Sequence, residues 1–222
     1  MHDDLRARLR DSYNRKAHER DSRTLQAWKA EERHTFLTLL QQEQKHSVLE
    51  IGAGTGLDAK LFQDQGLTVV CVDLSPEMVR LCQQKGLTAH VMDFAELTFP
   101  PNSFDAVYAL NCLLHLPKRE LPGVLNSINS ILNSNGLFYL GVYGGYDHEG
   151  IWDKDSYEPK RFFTFYTDEL LQHMVAETFQ VYSFKRIPLE GEDAALHFQS
   201  VILRKTGVPA TTVSQLGCPT SR

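Results

Sequence analysis

From residue 47 onward, apolar and polar positions fall into a repeating rhythm of short apolar runs and longer amphipathic stretches. SVLEI (47–51), LTVVCVDL (67–74), LTAHVMD (87–93), SFDAVYALN (103–111) and GLFYLGVYG (136–144) are runs of β-branched and aromatic residues of strand length. Between them lie helical patterns: DAKLFQDQG ending at Gly66, SPEMVRLCQQKG, and KRELPGVLNSINSILNSNG with Pro122 in its first turn. Ser75 and Pro76 supply an N-cap and a first-position proline, and Gly86 a stop. Strands alternating with helices at this spacing predict a parallel sheet covered on both faces. The rhythm breaks over 144–166, an insertion of aromatic, charged and turn-forming residues. TDELLQHMVAETF (167–179) restores a helix capped by Thr167. Two longer runs, 179–191 and 194–205, joined by an acidic turn at 190–194, predict an antiparallel hairpin at the sheet edge. Ahead of the sheet, apolar positions at helical intervals over 3–43 (Leu25, Trp28, Phe36, Leu37, Leu40) predict two amphipathic helices. Residues 206–222 lack periodicity and read as a flexible tail.

The organisation expected is an N-terminal helical cap (1–44), a main domain (45–205) with a substrate-side insertion at 144–166, and the tail at 206–222. A chain of 222 residues accommodates one substantial core. The formal net charge of −5 gives no general attraction to nucleic acid or anionic lipid. Nine basic residues precede position 34, but seven acids are interspersed among them, so this stretch reads as a solvated helical face. The cysteines at 71, 82, 112 and 218 have no zinc or redox spacing, and Cys71 and Cys112 sit within apolar runs as core residues do. Their usage fits a reducing cytosol, and no signal peptide or membrane-spanning run is apparent. The expectation is a cytoplasmic protein, a monomer or homodimer, with no metal site.

The chemistry centres on VLEIGAGTGLD (48–58), a glycine turn between the first strand and the first helix, where open α/β sheets bind ligands. A dinucleotide fingerprint would need glycine at 57, which is leucine, and no GK[ST] phosphate loop follows. The pattern is instead Gly52, Gly54 and Gly56 with a carboxylate, Glu50, ahead of it, which suits a cationic ligand head better than a pyrophosphate. Asp73, ending the second strand, is placed to accept ribose hydroxyls. Asp93, ending the third, reads either as a turn aspartate or as an acceptor for an adenine amine, with Phe94 and Met78 as ring walls.

These segments resemble the class I S-adenosylmethionine (SAM) dependent methyltransferases. LEIGAGTG resembles their first motif, VVCVDLSPEMV the second, HVMDFAELTFPPNSFDAVYALNCLLHLP the adenine turn and fourth strand, and ILNSNGLFYLGVYG the fifth-strand motif. The resemblance spans about 45–205 and implies a Rossmann-like α/β fold. Its mostly parallel seven-stranded sheet would run in the order 3-2-1-4-5-7-6, with strand 7 antiparallel and helices on both faces. It implies SAM as cofactor, S-adenosylhomocysteine as product, and a cofactor site of Glu50, Gly52, Ala53, Gly54, Gly56, Asp73, Leu74, Met78, Asp93, Phe94 and Asn111. In that site Glu50 orients the methionine amino group.

The expected reaction is in-line displacement of the methyl group to N, O or S of a small molecule. His115, after the fourth strand, reads equally as a general base and as a packed histidine; His148 and His197 are alternatives. Substrate contacts are expected from Tyr13, Tyr143, Tyr146, Trp152, Arg161 and Tyr166, with Phe163 as a further lining residue. Two other readings stand beside this one. KRFFTFYTDELLQ faintly resembles tRNA wobble-uridine methyltransferases, though the acidic balance disfavours nucleic acid; a SAM-binding partner protein without turnover is the other.

Overall fold

The computed structural model describes residues 2–22, 26–189 and 195–206. Leu25, the acidic turn at 190–194, Cys218 and the tail beyond Thr206 lie outside the described residues. The chain runs α1 (His2–Asp21), α2 (Ala27–Gln42), β1 (Ser47–Ile51), α3 (Leu57–Asp64), β2 (Thr68–Asp73), α4 (Pro76–Gln84), β3 (Thr88–Val91) and β4 (Phe104–Leu110). It continues through α5 (Leu121–Ile131), β5 (Leu132–Gly144), β6 (His148–Ile151), β7 (Phe162–Phe165), α6 (Asp168–Ala176), β8 (Gln180–Pro188) and β9 (His197–Arg204). Seven strands form one sheet in the order β3-β2-β1-β4-β5-β9-β8. Its first five strands are parallel, and β9 runs antiparallel to both β5 and β8.

Side-chain alternation along the strands divides the core into two layers. Val48, Cys71, Tyr108 and Tyr139 face Phe36 and Leu40 of α2, Phe62 of α3 and Cys82 of α4. Leu49, Val72, Val107 and Phe138 face Leu125 and Ile128 of α5 and Leu171 and Val175 of α6. Each such fully buried side chain contributes about 1.5–3 kcal/mol, so both faces need helical cover for the sheet to persist. Caps fix where the helices begin: Ser75 Oγ accepts the Met78 amide at the start of α4, and Thr167 Oγ1 that of Leu170 at the start of α6.

Two elements depart from the sequence reading. The helix expected to run to Gly136 stops at Ile131, and β5 begins at Leu132. The backbone turns extended at Leu132 (ψ 140°), and Asn133 donates to Asp105 Oδ1 at 2.8 Å, which holds the chain in the sheet. The insertion also contains a second sheet, the β6–β7 hairpin. Its Phe163 and Phe165 pack into the main core, so this aromatic stretch is structural as well as lid-like.

α1 is a polar strap rather than an independently stable amphipathic helix. Within it Ser12 and Ala17 are buried, and its attachments are largely hydrogen bonds and ion pairs. Asn14 accepts from the Ser75 hydroxyl at 2.6 Å, Asp21 pairs with Lys85 at 2.6 Å, and Ser12 bonds to the Pro159 carbonyl. α1 therefore joins α4 to the insertion across the carboxyl edge of the sheet. Among the described residues no helix is long and apolar enough to span a membrane.

Candidate functional site

The carboxyl edge of β1, β2 and β4 brings the glycine loop, Asp73 and Asn111 together. Gly52 and Gly54 hold left-handed φ values of 63° and 56°, which L side chains rarely adopt. A Cβ at Gly52 would lie 2.3 Å from Cys112 Cβ, so this glycine lets β1 and the turn after β4 meet. At Gly54 a Cβ would meet nothing within 4 Å, so that backbone faces open space. The loop is anchored by Ala53 N donating to Val72 O at 3.1 Å and Gly54 N to Asp73 Oδ2 at 2.8 Å.

Asp73 also accepts the Ser75 amide, at 2.8 Å. Burial raises its carboxyl to about 6, against the opposing pull of the Ser75 and Gly54 amides. Glu50 is buried and turned toward α3; burial first, then the Asp58 carboxylate, raises its carboxyl well above the ordinary range. One oxygen, Oε2, has no hydrogen-bond partner. Asn111, with a left-handed φ of 55°, likewise holds a buried, unpartnered Oδ1.

Leu74, Asp93 and Phe94 line a cavity of about 30 Å³ closed by Leu5, Arg6 and Leu9 of α1. That volume suits about one water molecule, not a purine. Arg6 Nε pairs with Asp93 Oδ2 at 2.6 Å, and the other Asp93 oxygen accepts the Ala95 amide at 2.8 Å. Met78, read from sequence as a ring wall beside Phe94, lies instead beneath α1 with Ala17 and Leu81, because its place on α4 turns it toward the strap.

A second cavity, of about 900 Å³, lies between α1, α2, the end of β4, the insertion and the β8–β9 hairpin. Asn111, Tyr13, Tyr143, Trp152, Arg161 and Phe163 all line it. Tyr146 and Tyr166 do not: Tyr146 packs edge-on against Phe165, and Tyr166 is buried beneath the Lys118 ammonium. Sequence reading missed Arg20, Trp28, Lys29 and Tyr157 in this wall. Their proximity depends on the α1–α2 turn and the insertion folding over the same edge, which no local pattern signals.

His115 lines both cavities. Its Nδ1 lies 2.8 Å from the Phe162 carbonyl and its Nε2 2.8 Å from the Tyr13 hydroxyl. The carbonyl can only accept, so Nδ1 carries the proton and Nε2 accepts from Tyr13. Tyr13 in turn accepts from Arg161 Nη1 at 3.0 Å, and Arg161 is held by both oxygens of Asp155. Burial, then the Arg161 charge, lowers the imidazole to about 3. A neutral ring of such low basicity, its lone pair occupied, positions Tyr13 and is a poor general base. The alternatives are also engaged or remote: His197 Nε2 pairs with Asp168 Oδ1 at 2.8 Å, and His148 packs on Phe165. Among the described residues no cluster of metal-ligating side chains occurs.

The donors and acceptors at this edge fit an adenosyl sulfonium with a free amino group. The backbone is open at Gly54, a part-buried carboxylate stands at Asp73, and the unpartnered Asn111 Oδ1 can accept an N–H.

Residues 48–136 match a family model described as a methyltransferase domain. A sterol 24-C-methyltransferase of Gibberella zeae is 32% identical over 123 residues, covering 51% of this chain and 31% of that protein. A ubiquinone biosynthesis O-methyltransferase of Xanthomonas campestris is 29% identical over 102 residues, covering 43% and 42%. The chain thus spans less than half the length of these curated relatives. Over nearly the whole fold it is similar to a solved structure, the 1,6-didemethyltoxoflavin-N1-methyltransferase of Burkholderia thailandensis with its acceptor and S-adenosylhomocysteine bound. The TM-score is 0.69 and the identity 25%, covering 90% of this chain and 88% of that one. Strand order, glycine turn and matched segment agree: residues 48–136 match a methyltransferase domain, and the fold, like that of the neighbour holding S-adenosylhomocysteine, supports a class I SAM-dependent methyltransferase.

Proposed function

We propose that this protein transfers a methyl group from SAM to N, O or S of a small molecule held in the 900 Å³ cavity. One observation carries the reading: Asn111, which follows β4 beside the glycine loop, also forms part of the cavity wall. A cofactor on that loop and an acceptor in the cavity would therefore be neighbours, as an in-line transfer requires.

The loop Gly52–Gly56 would receive the cofactor against its backbone, Asp73 the ribose hydroxyls, and Asn111 Oδ1 the amino group in place of Glu50, which is turned toward α3 with its carboxyl raised. SAM supplies a methyl carbon on a positive sulfur: a lone pair of the acceptor forms the new bond to that carbon, and the electrons of the broken C–S bond stay on sulfur. An acceptor X–H loses its proton, which passes to water. Tyr13, His115 and Arg161 hold one another in a fixed hydrogen-bonded row at the chamber wall. Aromatic side chains around that row favour a flat acceptor. The neighbour acting on 1,6-didemethyltoxoflavin supports a small heterocyclic acceptor.

The test is incubation of the purified protein with methyl-labelled SAM and a cell extract divided into metabolite and RNA fractions. Label in the metabolite fraction is expected. Label confined to RNA would overturn the small-molecule reading, and SAM binding without labelling of either fraction would favour a partner protein without turnover.

A further inference from the structure

The 900 Å³ chamber has an uneven charge balance. Arg20, Lys29 and Arg161 contribute to its wall, and no aspartate or glutamate does among the described residues. Arg161 is compensated, because Asp155 behind the wall accepts from both its Nε (2.9 Å) and its Nη2 (2.7 Å). Arg20 is not. Its guanidinium is part-buried and donates to the Tyr157 hydroxyl at 3.1 Å, with no described carboxylate at ion-pair distance. Lys29 is similar: its ammonium sits 5.1 Å from the Trp28 ring centroid and 5.6 Å from that of Tyr143, and the Asp58 carboxylate feels its charge only at longer range. Elsewhere Arg6, Arg33, Lys85 and Arg204 each meet a carboxylate, while Lys45, Lys160 and Lys205 donate to backbone carbonyls.

A partly desolvated cation with no carboxylate in contact is costly, and its remaining donors are open to a ligand or water. A guanidinium presents a planar fork of donors matched to a carboxylate. The rest of the wall combines flat aromatic faces with the polar side chains of Gln26, Asn111 and Ser156. Trp152 meets Phe163 and Phe165 edge-on at 5.2 and 5.7 Å. Such walls take a ring between them, while the paired Arg161 and ring-bound Lys29 repel a cation.

We infer that the methyl acceptor is a flat, ring-containing anion, and that Arg20 is the residue that receives its negative group while Lys29 adds a second, longer-range attraction. The inference rests on the methyl-transfer reading for the identity of the site, but the charge preference follows from the wall alone. It excludes a cationic amine as the favoured occupant. Arg20 acts here as a specificity residue: it anchors the acceptor by a charged group and takes no part in the bond that forms.

Three probes sharing one ring separate charge from shape: quinoline-2-carboxylate, quinoline-2-carboxamide and 2-(aminomethyl)quinoline. Calorimetric titration of each into the full chain, with and without saturating S-adenosylhomocysteine, reads the preference. Both tryptophans of the chain line the chamber, so quenching of their fluorescence reports that a probe has entered it. The carboxylate is expected to bind about tenfold or more tightly than the amide, and the amine most weakly. Arg20→Gln should erase the carboxylate's advantage while leaving the amide's affinity within about twofold, and Arg20→Lys should restore part of it. Equal affinities, preference for the amide or amine, or no binding by any probe would overturn the inference. So would a carboxylate preference that survives in folded Arg20→Gln; the wild-type series decides the matter if that variant fails to fold. Failure of S-adenosylhomocysteine to bind would instead strike the methyl-transfer reading, and the same titrations without it still report on charge.

Discussion

Acidification from pH 7.5 to 5.0 should weaken S-adenosylhomocysteine binding about tenfold through one residue, Asp73. Its carboxyl is raised to about 6 by burial and accepts the Gly54 and Ser75 amides at 2.8 Å. The ionised form can accept ribose hydroxyls through its remaining lone pairs; protonation removes part of that capacity. If binding requires the ionised form, about one molecule in eleven is competent at pH 5.0 against nearly all at pH 7.5, hence the tenfold loss. Binding should then release close to one proton at pH 5.0 and almost none at pH 7.5. Calorimetry in two buffers of different ionisation enthalpy measures both quantities.

The sign for stability is opposite. A carboxyl whose folded pKa is raised contributes stability that is full below its unfolded value near 3.8 and is lost as pH rises through about 6. Loss of affinity at pH 5.0 is therefore not acid unfolding through this group. Glu50, also raised, is a second possible proton source, so the control is Asp73→Asn, which should bind weakly at every pH with a flatter profile. A pH-independent wild-type affinity, or wild-type affinity in the Asn variant, would refute the reasoning.

Gly54→Val should lower cofactor affinity by about a hundredfold while the domain stays folded, since a side chain there enters open space at a backbone cost of about 1–2 kcal/mol; equilibrium binding and thermal melting separate the two effects. The His115 imidazole, lowered to about 3, should keep its Nδ1 proton and remain neutral from pH 8 to 5, so nitrogen NMR should show no titration there and the rate profile no histidine limb from this ring. Because it must gain a proton to unfold below its ordinary value of 6.5, it costs stability increasingly as pH falls through that value. Asp105 changes stability in the same direction, since its folded pKa is lowered as well. Burial alone would raise it, but the His46 amide, the Asn133 side chain and Ser47 hold it down at about 2. Asp105→Ala should therefore cost about 2 kcal/mol at pH 7 by denaturant melting, a difference that shrinks as pH falls from about 4 toward 2.

The strands and their caps were legible because they are local. Ser75, Thr167 and the left-handed Gly66 and Gly86 mark ends that short-range chemistry decides. FFTF at 162–165 was harder: its apolar run is short, and it becomes a strand by pairing with His148–Ile151 across a turn-rich stretch. The cofactor edge was visible since its parts follow consecutive strands, yet the Arg6–Asp93 closure across it was not. The chamber was least legible. Tyr13 and Arg161 stand 148 positions apart, and Arg20 entered neither list because an arginine in a charged helix looks like any solvated one. Tyr146 and Tyr166 erred the other way, as the hairpin needs aromatics of its own.

The most direct test of the account is a crystal structure of the chain grown with S-adenosylhomocysteine. Density for the ligand lying against Gly52–Gly56, with ribose at Asp73, amino group at Asn111 and sulfur facing the 900 Å³ chamber, is the expected result. Ligand bound elsewhere, or its sulfur turned away from that chamber, would contradict it.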